Sequence, residues 1–177
     1  MRKLVYYIAT TVDGFIAHQD GGLEGFLMEG EHAKDFLESL QAFDTVLMGR
    51  GTYDLGRKYG VTSPYPTMRQ YVFSRTLGTS PDPAVKLVSE NAVSTVRELK
   101  AQSGKDIWLC GGAEFASTLF AEGVIDDVIV KVNPVLFGRG KALLSAFTGT
   151  AALELSDKKV FDNGVVVLRY RVKPSTR

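Results

Sequence analysis

The sequence predicts a three-layer αβα sandwich built on a mostly parallel central sheet, with antiparallel edge strands contributed by the C-terminal part of the chain. Short apolar runs rich in Val, Ile, Leu and Tyr alternate with segments of helical apolar spacing, and clusters of Gly, Pro and Ser separate them. The chain then closes on two strand-like runs joined by Asp162-Asn163-Gly164, which reads as a hairpin turn. Near-continuous apolar strands are the mark of a sheet covered on both faces, because no face has to be polar.

The first strand spans Leu4 to Ala9, a run too short for a helix, and the turn-forming Asp13-Gly14 ends it. A helix follows between His32 and Phe43, where Ala33, Phe36, Leu37, Leu40 and Phe43 share one face and Glu31, Lys34, Asp35 and Glu38 fall mostly on the other. Three short strands are predicted at Thr45 to Met48, Tyr71 to Phe73 and Val85 to Val88. The next helix runs from Ala92 to Ala101, turns Val93, Val96 and Leu99 inward, and ends near Ser103-Gly104. Ile107 to Cys110 is a strand, and Ala113 to Glu122 a helix with Phe115, Ala116, Leu119 and Phe120 on its apolar face, stopped by Gly123. Ile125 to Val132 is strand-like, and Leu153 to Phe161 with Val165 to Val172 forms the terminal hairpin. No internal repeat, linker or low-complexity segment interrupts the pattern, so residues 1–177 are expected to form one domain.

Charge and composition narrow the function classes. Lys and Arg number 21 against 20 Asp and Glu, a net charge of +1, so no basic excess is available to displace counterions from a nucleic-acid backbone. The single cysteine, Cys110, has no partner for an internal disulfide and reads as a small buried filler. The start MRKLVYYIATTVDG lacks the pattern of a secretory signal, and no apolar run is long enough to span a membrane, so a soluble, cytoplasmic protein is expected. His18 and His32 are too few for a usual zinc site and are expected at the surface, and no metal is predicted.

Three segments follow strands and carry residues suited to anions. Gly49, Arg50, Gly51 and Thr52 place glycines and a guanidinium before a helix start, where backbone amides are free. Ser74, Arg75 and Thr76 group two hydroxyls with a second guanidinium. Gly111 and Gly112 stand between a strand and the helix from Ala113, where a pyrophosphate can approach closely. A glycine turn, a solvated loop and tight strand-to-helix packing are the ordinary alternatives. Their shared place at the carboxyl ends of strands, where open α/β sheets bind ligands, argues for one common ligand. No GxGxxG run is present and no acid is placed for a ribose 2′-hydroxyl, whereas the arginines suit a phosphate there, so the expected cofactor is NADPH. Asp13, after the first strand, is the candidate catalytic group that orients substrate or relays a proton, with a plain Asp-Gly turn as its alternative. Phe15, Phe26 and Met28, on the long loop before the first helix, are candidates to line a substrate pocket and exclude water.

Taken in order, Val12-Asp13-Gly14-Phe15-Ile16-Ala17, Met48-Gly49-Arg50-Gly51-Thr52-Tyr53, Ser74-Arg75-Thr76, Trp108-Leu109-Cys110-Gly111-Gly112-Ala113 and Pro134-Val135-Leu136-Phe137-Gly138-Arg139-Gly140 resemble the motifs of the dihydrofolate-reductase-like superfamily. The resemblance spans nearly the whole chain and is closest to the reductase domain of the bifunctional riboflavin-biosynthesis enzyme and to stand-alone bacterial proteins similar to it. It implies an NADPH-dependent reductase of a small, flat heterocycle, either 5-amino-6-(5-phosphoribosylamino)uracil-like or pterin-like. It also implies that Gly49, Arg50, Thr52, Ser74 and Arg75 surround the adenosine phosphates, that Gly111 and Gly112 pass under the pyrophosphate, and that the protein is a homodimer. Two positions depart from the pattern. Glu31, His32 and Asp35 offer no clear counterpart to the acid that binds the pterin ring in dihydrofolate reductases, and Phe15 stands where riboflavin reductases carry a lysine or arginine. A non-catalytic nucleotide-binding or dimeric scaffold that keeps the fold is the alternative from another class.

Overall fold

A computed structural model describes residues 1–174. Among them the chain forms β1 (Leu4–Thr11), β2 (Phe15–Ala17), α1 (Glu31–Ser39), β3 (Phe43–Gly49), α2 (Arg50–Lys58), β4 (Arg69–Phe73) and β5 (Val85–Val88). It continues through α3 (Ala92–Ala101), β6 (Asp106–Gly111), α4 (Ala113–Ala121), β7 (Asp127–Asn133), β8 (Lys141–Ala142), β9 (Leu153–Val160) and β10 (Val166–Val172). Eight strands make one sheet in the order β5-β4-β3-β6-β1-β7-β10-β9. The first six of that order run parallel, while β10 is antiparallel to both β7 and β9. The expected mixed α/β architecture, with a mostly parallel sheet and an antiparallel C-terminal edge, is the one observed.

Strand alternation explains the layers. Leu4 and Tyr6 of β1 point to one face and Val5 and Tyr7 to the other, and all four are buried. On the first face Val96 and Leu99 of α3 and Ala116 and Leu119 of α4 pack over Leu47, Ile107 and Leu109. On the second, Phe36 and Leu40 of the α1 segment and Tyr53 of α2 pack over Val46, Met48, Trp108 and Ile129. Trp108 donates its indole N–H to the Tyr7 carbonyl at 2.9 Å, so the polar tip of a fully buried ring is satisfied. Truncating a side chain as buried as Leu47 to alanine should cost about 2–5 kcal/mol.

Most strand and helix ends fall within two residues of expectation, and the first helix and His32 depart most from it. The helix over His32 to Phe43 ends at Ser39; Leu40–Ala42 tightens into a 3₁₀ turn, and Phe43 opens β3, buried near Trp108 at 6.4 Å between ring centroids. Phe43 satisfies the helical spacing, but the sheet offers it the deeper burial. His32 is 1% exposed and not at the surface as expected. One ring nitrogen is 2.9 Å from the Leu27 carbonyl and the other 2.8 Å from the Asn163 amide nitrogen, so partners in two loops satisfy both polar ends. No helix among the described residues is long and apolar enough to cross a membrane.

Candidate active site

Strands β3 and β6 are parallel neighbours, yet α2 leaves β3 toward one face while α4 leaves β6 toward the other. A crevice opens at the carboxyl ends of strands wherever successive helices part in this way. Gly49 is the N-cap of α2 and Gly112 the N-cap of α4, and neither helix start carries a side-chain cap. The first-turn amides of both helices therefore lack an internal partner, and the positive ends of two helix dipoles lie side by side.

The glycines there are not equivalent. A Cβ on Gly49 would stand 3.0 Å from the backbone nitrogen of Gly112, and one on Gly111, whose φ is +143°, would stand 3.0 Å from the Thr52 hydroxyl. Close packing and backbone conformation thus account for Gly49 and Gly111. At Gly112 a Cβ would meet only the Thr52 hydroxyl, at 3.4 Å, which is ordinary contact. The protein's own packing leaves that position room for a side chain. The Gly111–Gly112 peptide bond is cis.

The strand-end segments expected to act together are joined at their rims. Arg50 donates to Asp54 at 3.0 Å and to the Thr76 hydroxyl, linking the first segment to the second. Arg75 reaches within 3.9 Å of Glu114 in the first turn of α4, linking the second to the third. Both side chains of that last pair are more than four-fifths exposed, so it holds Arg75 only weakly and an incoming anion can displace it. Ser74 is committed locally, because its hydroxyl accepts the amides of Thr76 at 3.3 Å and Leu77 at 3.0 Å.

Asp13 is engaged by its own scaffold. Its carboxylate accepts the Thr11 hydroxyl at 2.6 Å, the Phe137 amide at 3.1 Å and the Gly138 amide at 2.7 Å. The Thr11 hydrogen bond, helped by those two amides and opposed by desolvation, holds the group below the usual carboxylate range. An ionised clasp on the 134–140 loop results, suited to orienting a neighbour and poorly suited to giving up a proton near neutrality. Phe15 lies in the two-stranded β2–β8 ribbon opposite Ala142. Phe26 is buried against Phe137, which stacks on His18 at 3.8 Å, while Met28 is 62% exposed. These three side chains do not share one pocket wall.

Other groups emerge only in three dimensions. Cys110, whose thiol burial pushes up to about 11, lies 3.6 Å from the Tyr65 hydroxyl and is no thiolate nucleophile near neutrality. Lys131 of β7 reaches the α1 side of the sheet, 5.6 Å from the Phe36 ring centroid. No local sequence signal marked it, since an isolated lysine in a strand reads as solvated surface.

Residues 2–167 match the profile of the RibD C-terminal domain. The chain is 34% identical over 165 residues to the uncharacterized protein YwjB of Bacillus subtilis (strain 168), covering 93% of this chain and 95% of YwjB. A proposed riboflavin biosynthesis protein from Shewanella sp. PV-4 superposes with a TM-score of 0.83 at 24% identity, over 98% of this chain and 100% of that one. Dihydrofolate reductase from Enterococcus faecalis, complexed with NADP(H) and RAB-propyl, superposes with a TM-score of 0.71 at 15% identity, over 97% of each chain. The two superpositions show a dihydrofolate-reductase-like fold, and the profile match shows that the chain belongs to the RibD C-terminal domain family.

Proposed function

We propose that this protein is an NADPH-dependent reductase of a small nitrogen heterocycle, 5-amino-6-(5-phosphoribosylamino)uracil-like or pterin-like. The observation that carries this reading is the meeting of two uncapped helix starts at Gly112, the glycine whose absent side chain the fold itself does not require. A pyrophosphate suits that place: it offers charge to two positive helix ends and acceptors to free amides. The dihydrofolate reductase of Enterococcus faecalis, on the same fold, is a complex with NADP(H).

NADPH, when bound, supplies the hydride; the chain binds, orients and excludes water. Gly112 lets the cofactor approach, Gly49 and Gly111 pack the two strand ends closely beside it, and the amides of α2 and α4 with the Thr52 hydroxyl hold its pyrophosphate. Arg75, with Ser74 beside it, receives the 2′-phosphate, and Arg50, at the start of α2, reaches the pyrophosphate common to both nucleotides. Asp13 orients the substrate side through the 134–140 loop that it clasps; the buried Phe26 supports that loop through Phe137, Phe15 lies in the β2–β8 ribbon, and the exposed Met28 is free to close over a bound ring. A homodimer is also proposed, because all eight residues of the edge strand β9 are exposed, Leu153, Leu155 and Val160 among them.

Titration with NADPH and NADH, followed by a screen of ribosylaminopyrimidine, dihydropteridine and dihydrofolate substrates for NADPH oxidation, tests the reading. Saturable binding with a preference for NADPH and oxidation with one substrate class is expected. Binding without oxidation by any of them would favour the non-catalytic nucleotide-binding scaffold, which the commitment of Asp13 to its own loop supports. No binding of either nucleotide would overturn both.

A further inference from the structure

Lys131 occupies a costly position for a charge, and strand geometry fixes where it points. Ile129, two residues earlier on β7, packs with Val5, Tyr7 and Trp108 on the face covered by α1, so Lys131 emerges on that face too. Its neighbours in register are Ala9 of β1 and Val167 of β10. The ammonium is half-buried beside the Phe36 ring, and among the described residues it makes no ion pair and no hydrogen bond. Burial alone lowers its pKa, with no carboxylate to counter the effect. Other lysines contrast with it: Lys100 of α3 is paired with Asp126, Lys3, just before β1, with Asp127, and Lys159 of β9 with Asp35.

Lys131 also stands level with the crevice. Tyr6 pairs with Leu109, so two residues on Ile8 lies beside Gly111, and a Cβ on Gly111 would be 3.6 Å from the Ile8 side chain. Ala9, the next residue of β1, pairs with Lys131. Gly111 and Lys131 are therefore separated by one intervening strand, two interstrand spacings or about 9–10 Å. A flat ring placed next to the crevice on the α1 side spans that gap.

We propose that Lys131 is a specificity-determining residue that donates to an oxygen on the edge of the substrate, so that the site takes an oxo- or anionic heterocycle in preference to an amino-rich, cationic one. This rests on the reductase reading for the place of the substrate, but not for the chemistry that Lys131 selects. An ammonium without an internal acceptor loses part of its hydration on folding and recovers hydrogen bonds only when a ligand brings an acceptor. Phe36, under the ammonium, attracts the cation without accepting a hydrogen bond in the usual sense.

Two pyrimidines of similar size serve as probes: orotate, which is anionic and dioxo, and 2,4-diaminopyrimidine. Trp108, the single tryptophan, lies 5.8 Å from Phe36 and reports binding by its fluorescence. Both probes are titrated into the parent protein, Lys131→Met and Lys131→Arg, with and without saturating NADP⁺, beside NADPH titrations and thermal melts of each protein. Orotate is expected to bind the parent more tightly than the diamine does, Lys131→Met to weaken orotate by about tenfold or more, and Lys131→Arg to restore most of that loss. NADPH affinity should stay within about twofold, and Lys131→Met should melt no lower than the parent because it removes an uncompensated buried charge. No saturable orotate response, preference of the parent for the diamine, or equal orotate binding by parent and Lys131→Met overturns the proposal. Failure of the parent to bind NADPH overturns the reductase reading instead, and the cofactor-free orotate arm still decides the part played by Lys131.

Discussion

The two ends of the central sheet handle charge in opposite ways. At the amino ends of the strands, Arg2 is 5% exposed and donates to Asp44, to the Thr45 hydroxyl at 2.8 Å and to the Lys105 carbonyl. Lys100, equally buried, pairs with Asp126 at 2.6 Å and donates to the Val124 carbonyl at 2.8 Å. Burial alone would raise the Asp44 carboxyl, but hydrogen bonds from the Thr45 hydroxyl and the Lys105 amide, with the Arg2 charge, hold it below its ordinary value. At the carboxyl ends, two helix starts lack caps, Arg75 is held only by an exposed contact, and Lys131 has no partner among the described residues. Charges saturated by the fold sustain its stability; charges and amides left unsaturated are available to a ligand.

Substitutions at the two ends should therefore separate stability from ligand binding. The largest effect on stability should come from Arg2→Met, which takes the buried guanidinium from Asp44 and leaves that carboxylate the Thr45 hydroxyl, the Lys105 amide and Arg69 at 3.8 Å; it should cost about 3 kcal/mol, the low end for a broken buried pair because Asp44 keeps these partners and is a third exposed. Denaturant melts measure it, and NADPH affinity of the folded protein should not change. Gly112→Val should do the reverse, weakening NADPH by roughly ten- to a hundredfold while the melting temperature moves by only about 2–4 °C. A variant that melts normally and binds NADPH like the parent would return Gly112 to simple packing.

Arg75→Ala should weaken NADPH by about tenfold and leave NADH nearly unchanged, a preference that narrows as salt rises. Arg50→Ala, at the start of α2, should weaken both nucleotides alike, and dissociation constants for the two single variants separate these roles. The smallest effect expected is that of Asp13→Asn, read by hydrogen exchange at the amides of Phe137 and Gly138. Because the folded carboxyl lies below its ordinary value, its contribution is fully present above the unfolded pKa of about 3.9 and is lost as pH falls through the lower folded value. The variant should therefore exchange faster than the parent near neutrality, with the difference vanishing in strong acid.

Much of the scaffold was legible because it follows local rules. Val85–Val88 and Ala92–Ala101 form the strand and helix expected of their apolar spacing, and Gly111-Gly112 stands between a strand and a helix as its neighbours imply. Phe43 opens β3 although helical spacing also accepts an apolar residue there, and only packing near Trp108 decides between the two. The short β2–β8 ribbon left no mark, since three residues against two carry no period. Long-range partnerships were not legible either. His32 is buried through Asn163, 131 residues away, and Asp13 finds its amides 124 and 125 residues further on. Lys131 is the converse case: its sequence neighbours show a strand, and only the assembled sheet shows that its ammonium has been left without a partner.

Backbone amide shifts of the labelled protein titrated with NADPH read whether the crevice between β3 and β6 is a nucleotide site. Saturable shifts are expected at Arg50–Thr52, Arg75 and Gly111–Glu114, with Arg2, Lys100 and Lys105 at the opposite end unmoved. Shifts confined to the amino ends of the strands, or none at saturating nucleotide, would contradict a nucleotide site in that crevice.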